Sequence, residues 1–141
     1  MSRLAEIQAQ YEAKRAAEAA AADDQRATDL EARMCLEDEH GRLAAVSVSR
    51  HVKGQPMSAF VRTPTSAEYK RYRDMVHRAV KKDNVGEQQK ALDMLGQSCW
   101  VYPAAKEARD AMADAFPGIV MQLAVAAAAL AEGKAEAEGK E

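Results

Sequence analysis

The sequence predicts an α+β fold, mostly α: a helical N-terminal arm over 1–34, then one domain over 35–131, then a disordered tail over 132–141. Within the domain a small antiparallel β-meander (35–63) leads into a four-helix bundle (65–131). Three observations predict this. Residues 2–34 contain no Gly or Pro and consist largely of strong helix formers. Apolar residues then alternate with polar ones between Val46 and Val61, the two-residue period of half-buried strands. After Pro64 the apolar spacing returns to that of amphipathic helices.

The 141 residues suit one domain with appendages. Hydrophobic residues make up 48%, yet many are alanine, and there are only two Phe, one Trp and four Tyr. The core is therefore thin, or completed by a partner. The net charge of -2 excludes the overall basicity of a protein that coats nucleic acid. From Thr65 to Lys82, however, six Lys or Arg face two acids (+4), which leaves -6 for the rest of the -2 chain. Only that segment attracts an anion.

Charge at Arg3 and Glu6 with no apolar stretch beside it argues against a secretory signal. The longest apolar run, 119–131, is interrupted by Gln122 and falls short of the ~20 residues of a bilayer span. The expectation is a soluble cytoplasmic protein with no membrane partner. Cys35 and Cys99 lie far apart without a CxxC, which suits reduced thiols better than a disulfide framework.

In the arm, Leu4, Ile7 and Tyr11 form a short apolar stripe, but Lys14 and Glu18 follow where a heptad needs apolar residues. The arm reads as a solvated helix that frays around Asp23-Asp24, or as a docking helix for a partner or a second copy through Leu4, Ile7 and Tyr11. A short first strand is expected at Met34 to Glu37. Val46 and Val48 alternate with Ser47 and Ser49, and Met57, Ala59 and Val61 with Ser58, Phe60 and Arg62. Turns fall at Glu39-His40-Gly41 and Lys53-Gly54-Gln55-Pro56.

Thr65 and Glu68 form a capping box, after which Tyr69, Tyr72, Val76, Ala79 and Val80 share one face. A second helix starts at a cap on Asp83 or Asn84 and buries Leu92, Leu95 and Cys99. The third takes Pro103 into its first turn and turns Ala108, Met112, Ala115 and Phe116 inward until Pro117-Gly118 stops it. The fourth, Gly118 to Ala131, is alanine-rich with Ile119, Val120, Leu123 and Leu130 as anchors. The tail beyond it has no large apolar residue.

Catalytic and metal signatures are sparse. His40, His51 and His77 form no HxxxH pair, and the spacing of Cys35, His40, His51 and Cys99 matches no compact zinc pattern. Glu37-Asp38-Glu39 lacks the alternating ligands of a calcium loop and reads as a solvated turn. No phosphate-binding loop or nucleophile elbow is found. These absences point away from an enzyme and imply no cofactor and no metal. The basic segment is the remaining candidate: Lys70, Arg73, His77 and Lys81 form one helical stripe and Arg71, Arg78 and Lys82 its neighbour. A solvated face, an acidic protein partner and nucleic acid, in that order, account for such a stripe, and Asp74 interrupts it.

Two punctuated stretches, Phe60-Val61-Arg62-Thr63-Pro64-Thr65-Ser66-Ala67-Glu68-Tyr69-Lys70-Arg71-Tyr72 and Cys99-Trp100-Val101-Tyr102-Pro103, together with Ala115-Phe116-Pro117-Gly118-Ile119, resemble the small tail assembly chaperones of long-tailed bacteriophages. The resemblance covers about Val46 to Leu130, and the alanine-rich N-terminal segment is extra. It implies a non-enzymatic chaperone that coats the apolar tape measure protein and recruits the tail tube protein in the host cytoplasm. The alternatives are a structural virion protein, such as a connector or baseplate adaptor, and a small nucleic-acid-binding module. The positions expected to meet a partner are Lys70, Arg73, His77 and Lys81 on the basic stripe and Leu4, Ile7 and Tyr11 on the arm.

Overall fold

The computed structural model describes residues 2–134, in the order α1 (Arg3–His40), β1 (Leu43–Ser47), β2 (Ser58–Arg62), α2 (Ser66–Lys81), α3 (Val85–Cys99), β3 (Trp100–Tyr102), α4 (Lys106–Ala115) and α5 (Ile119–Ala131). These residues are mostly helical, with five helices and one antiparallel sheet of order β1-β2-β3. No single helix among them is long and apolar enough to cross a membrane.

Helix α1 starts where the Ser2 hydroxyl accepts the Ala5 amide and stops at Gly41, whose φ of 81° ends the helical path. Its 38 residues make a rod of about 57 Å. The expected fraying at Asp23-Asp24 does not occur, because Asp23 takes a bond from Arg26 on the next turn and the rod is held to the sheet immediately beyond. The strand expected at Met34 to Glu37 is helix instead. The helix runs on through Glu37, which reaches across the turn to accept the Leu43 amide and Arg33. That carboxylate also corrects the reading of the acidic triplet as a solvated turn. The Leu43 amide, opposing burial, and then Arg33 lower its pKa.

Strands β1 and β2 pair from Leu43 opposite Arg62 to Ser47 opposite Ser58. The third strand comes not from the N-terminal side but from Trp100–Tyr102, which pairs with Phe60 and Val61 across a local irregularity. The sheet is therefore not a simple meander, since α2 and α3 intervene before its last strand. One face carries Ala44, Ala59, Val61 and Trp100 into a core shared with Leu95, Cys99, Met112, Ile119 and Leu123. On the other face Phe60 is buried too, stacked on Tyr102 at 5.0 Å under Arg33 of α1. The expected outward direction of Phe60 thus reflects the alternation correctly but misses the helix that covers that face.

Helix α5 packs on β1 and β2, α3 packs on α5, and α2 packs on α3. Close approach of α3 and α5 depends on Gly96: a Cβ there would lie 2.6 Å from the Val120 carbonyl oxygen. Burial of Cys99 in this core pushes its thiol up to about 11. Helix α4 begins at Lys106, not at Pro103, which lies buried between β3 and the helix after a cis Tyr102–Pro103 peptide. Val80 is 59% exposed, so the apolar face of α2 ends at Ala79. The tail expectation is corrected for Glu132 to Lys134, which close α5 in a turn. Its remainder, 135–141, lies outside the described residues.

Candidate functional site

Helix α2 is positioned at its first turn by a carboxylate with two duties. Glu68 accepts the Thr65 amide while the Thr65 hydroxyl accepts the Glu68 amide, completing the capping box. The same carboxylate takes both guanidinium nitrogens of Arg62 at 2.8 and 2.9 Å, and Arg62 also donates to the Ser98 carbonyl at the end of α3. One pair therefore ties β2, α2 and α3 together. The Arg62 hydrogen bond is the main reason that Glu68 is pulled down to about 2.

From that anchor the basic stripe runs along the outside of α2. Lys70, Arg73, His77 and Lys81 are all exposed. Lys70, Arg73 and His77 border a shallow depression of about 530 Å³ with Ser66, Tyr69 and Asp74, and Lys81 lies outside it. The neighbouring stripe contributes Arg78 and Lys82 to a hollow of about 210 Å³ against Glu87 and Lys90 of α3. Among the described residues none of the six cations between Thr65 and Lys82 forms an ion pair, whereas Arg62, just before the helix, is fully engaged. At the stripe's N-terminal end the Tyr69 hydroxyl donates to Glu132 at 2.8 Å. This bond lowers the Glu132 carboxyl and raises the Tyr69 phenol.

The second candidate surface is the free half of α1. Leu4, Ile7 and Tyr11 are 65%, 48% and 61% exposed. Arg15 sits over the Tyr11 ring at 6.0 Å. Each of the three lies 18 residues before a residue of the docked half, namely Ala22, Gln25 and Asp29, so each pair is separated by about five turns and shares a face. The face that α1 turns to the sheet thus continues, uncovered, toward its N-terminus.

What holds the docked half was not singled out in the sequence. Asp29 is 2% exposed, and its carboxylate accepts the Met57 amide at 2.7 Å, the Ser58 amide at 3.1 Å, the Tyr102 hydroxyl at 2.7 Å and the Gln25 side-chain amide at 2.9 Å. Burial first, then this bond to Asp29, raises the Tyr102 phenol. Arg33 adds a bond to the Leu43 carbonyl at 2.8 Å. Nothing in the sequence marks Asp29 among the acids of a polar helix; only its lying 18 residues from Tyr11 hints that it shares a face.

No group of three or more His, Cys, Asp or Glu among the described residues is placed to hold a metal ion. Cys35 is exposed on α1 and Cys99 is buried in the core, and Cys35, His40, His51 and Cys99 form no such group. Comparison of the chain with protein-family models, with curated proteins and with solved structures finds no match.

Proposed function

We propose that this chain is a non-enzymatic assembly factor, a bacteriophage tail assembly chaperone that holds the tape measure protein and helps recruit tail tube subunits in the host cytoplasm. In this reading α2 to α5 act as one four-helix bundle on the sheet, and α1 reaches out from it. The observation that carries the reading is the uncovered continuation of the sheet-facing side of α1. Residues Arg3 to Ala21 form about 28 Å of helix without a buried residue, and Leu4, Ile7 and Tyr11 stand on the same face as the docked Ala22 and Asp29. A long amphipathic helical partner would extend that packing, as helix-in-groove recognition does. The basic stripe of Lys70, Arg73, His77 and Lys81 would meet acidic residues of such a partner.

Co-expression with a candidate tape measure protein tests this. The soluble yield of the partner is expected to rise with the full chain and to fall back with Leu4→Ser, Ile7→Ser and Tyr11→Ser combined. An unchanged yield with the full chain sinks the proposal. Purified virions decide against the structural alternative if the chain is missing from them and for it if the chain is present at fixed stoichiometry. A steep loss of DNA or RNA affinity as salt rises would instead mark a nucleic-acid-binding module.

A further inference from the structure

We propose that the hollow between the end of α2 and the start of α3 is a phosphoryl-binding site, in which Arg78, Lys82 and Lys90 hold the oxyanion and Glu87 accepts its O–H. The inference does not rest on the chaperone reading, which uses the other stripe of α2.

The hairpin of α2 and α3 builds the site. The two helices pack on each other and are joined only by Lys82, Asp83 and Asn84, with Asp83 at φ 52° in the corner. Arg78 and Lys82 lie four residues apart at the end of α2, and Glu87 and Lys90 three apart near the start of α3, so each pair stands on one face. All four, with the half-buried Met75, line one hollow of about 210 Å³. That is room for several waters, and so for one tetrahedral oxyanion.

The charges in the hollow are not spent on one another. Among the described residues no ion pair or side-chain hydrogen bond engages Arg78, Lys82, Glu87 or Lys90, although three cations and a carboxylate line the same space. The contrast is with the first turn of α2, where Arg62 grips Glu68 at 2.8 Å. Guanidinium and ammonium groups only donate, and a phosphoryl group brings several acceptor oxygens for charge-assisted bonds. An ionised Glu87 only accepts, so it disfavours a bare oxyanion but takes the O–H that a phosphoryl group keeps at about pH 6. Sulfate has no such proton. The site therefore prefers phosphate to sulfate.

Titration of the full chain with inorganic phosphate and with sulfate at about pH 6 and matched ionic strength tests this, read on the Arg78 side-chain Nε–H and the Lys82 and Lys90 amide resonances. Phosphate should give saturable shifts, and R78Q combined with K90Q should weaken binding by about tenfold or more. K70Q combined with R73Q, on the other stripe, should leave it within about twofold. E87Q should bring phosphate and sulfate to similar affinity. A second arm finds the source of the phosphoryl group: capture on phosphatidic acid vesicles, absent on phosphatidylcholine, lost in R78Q with K90Q and reversed by inorganic phosphate, assigns a lipid headgroup, and phosphate binding without such capture assigns a free phosphate. Shifts that do not saturate, equal weakening by the two double variants, or sulfate binding as tightly as phosphate to the unaltered chain would each overturn the proposal.

Discussion

Replacing Asp29 by alanine tests whether one carboxylate fastens α1 to the sheet. The substitution strips the acceptor from two backbone amides and from Tyr102 and Gln25, and Met57 and Ser58 would be left donating to no protein group at that point. A hydrogen bond to a charged acceptor is worth about 1.5–3 kcal/mol and an unsatisfied buried donor costs about 1–3 kcal/mol. The four bonds share one acceptor and do not add, so the expected loss is about 3–5 kcal/mol, the range for breaking a buried charged network. Asparagine keeps one oxygen for the two amides and presents an NH₂ that the Tyr102 oxygen can accept, so it should cost only about 1–2 kcal/mol. Urea unfolding followed by circular dichroism and by Trp100 fluorescence measures both, with Asp24→Ala on exposed helix as the control. In a chain of 141 residues about 1 kcal/mol corresponds to roughly 3 °C, so the alanine variant should melt some 10–15 °C lower. If Asp29→Ala costs no more than Asp24→Ala, the carboxylate is not the fastening and α1 is held by apolar contact alone.

The Arg62–Glu68 pair predicts an acid limb of stability. Glu68 has a folded value of about 2 against an ordinary 4.5, so its contribution is present above the unfolded value and is lost as pH falls from about 5 toward 2. With the side chain 29% exposed the size is about 1–3 kcal/mol, and Arg62→Ala should flatten the melting temperature across that window. Gly96→Ala should lower stability by about 1–3 kcal/mol, because the added methyl meets backbone at 2.6 Å and this outweighs the gain in helix propensity, whereas Gly118→Ala meets nothing and should change it far less. With an alkylating reagent at pH 8, Cys35 should react in the native protein and Cys99 only after unfolding, since burial pushes the Cys99 thiol up to about 11; rapid native labelling of both would contradict the packing of α3.

Much of the fold was legible because its signals are local. Thr65 and Glu68 announce α2 by a capping box that needs no tertiary contact, Asn84 caps α3 through the Glu87 amide, and Pro117-Gly118 separates α4 from α5. The alternation of Ala59 and Val61 placed β2 on the core. What was not legible depends on contacts far apart in sequence. Met34 to Glu37 is too short to show a period, and the Glu37 bond to Leu43 and the docking of α1 go with helix there. Strand β3 is three residues long, too short to show a period, and exists because β2 offers it an edge. The exposure of the basic stripe and of Leu4, Ile7 and Tyr11 follows the helical spacing that suggested them. Asp29 did not stand out because a buried acid and a solvated one look alike until their partners, 28 and 73 residues away, are known.

Those separations also set an order of events. The capped turns of α1 and α2 form from neighbours, and the β1–β2 hairpin closes a short loop, but β3 reaches its edge only after α2 and α3 have brought the chain back. Tyr102 then supplies a hydroxyl to a carboxylate that was made long before it during synthesis. Because the entropy of closing so long a loop is met before its contacts can reward it, the Tyr102 bond is expected to be the last of the Asp29 bonds to form. Until β3 arrives, Phe60 lacks the Tyr102 ring that stacks on it in the folded chain.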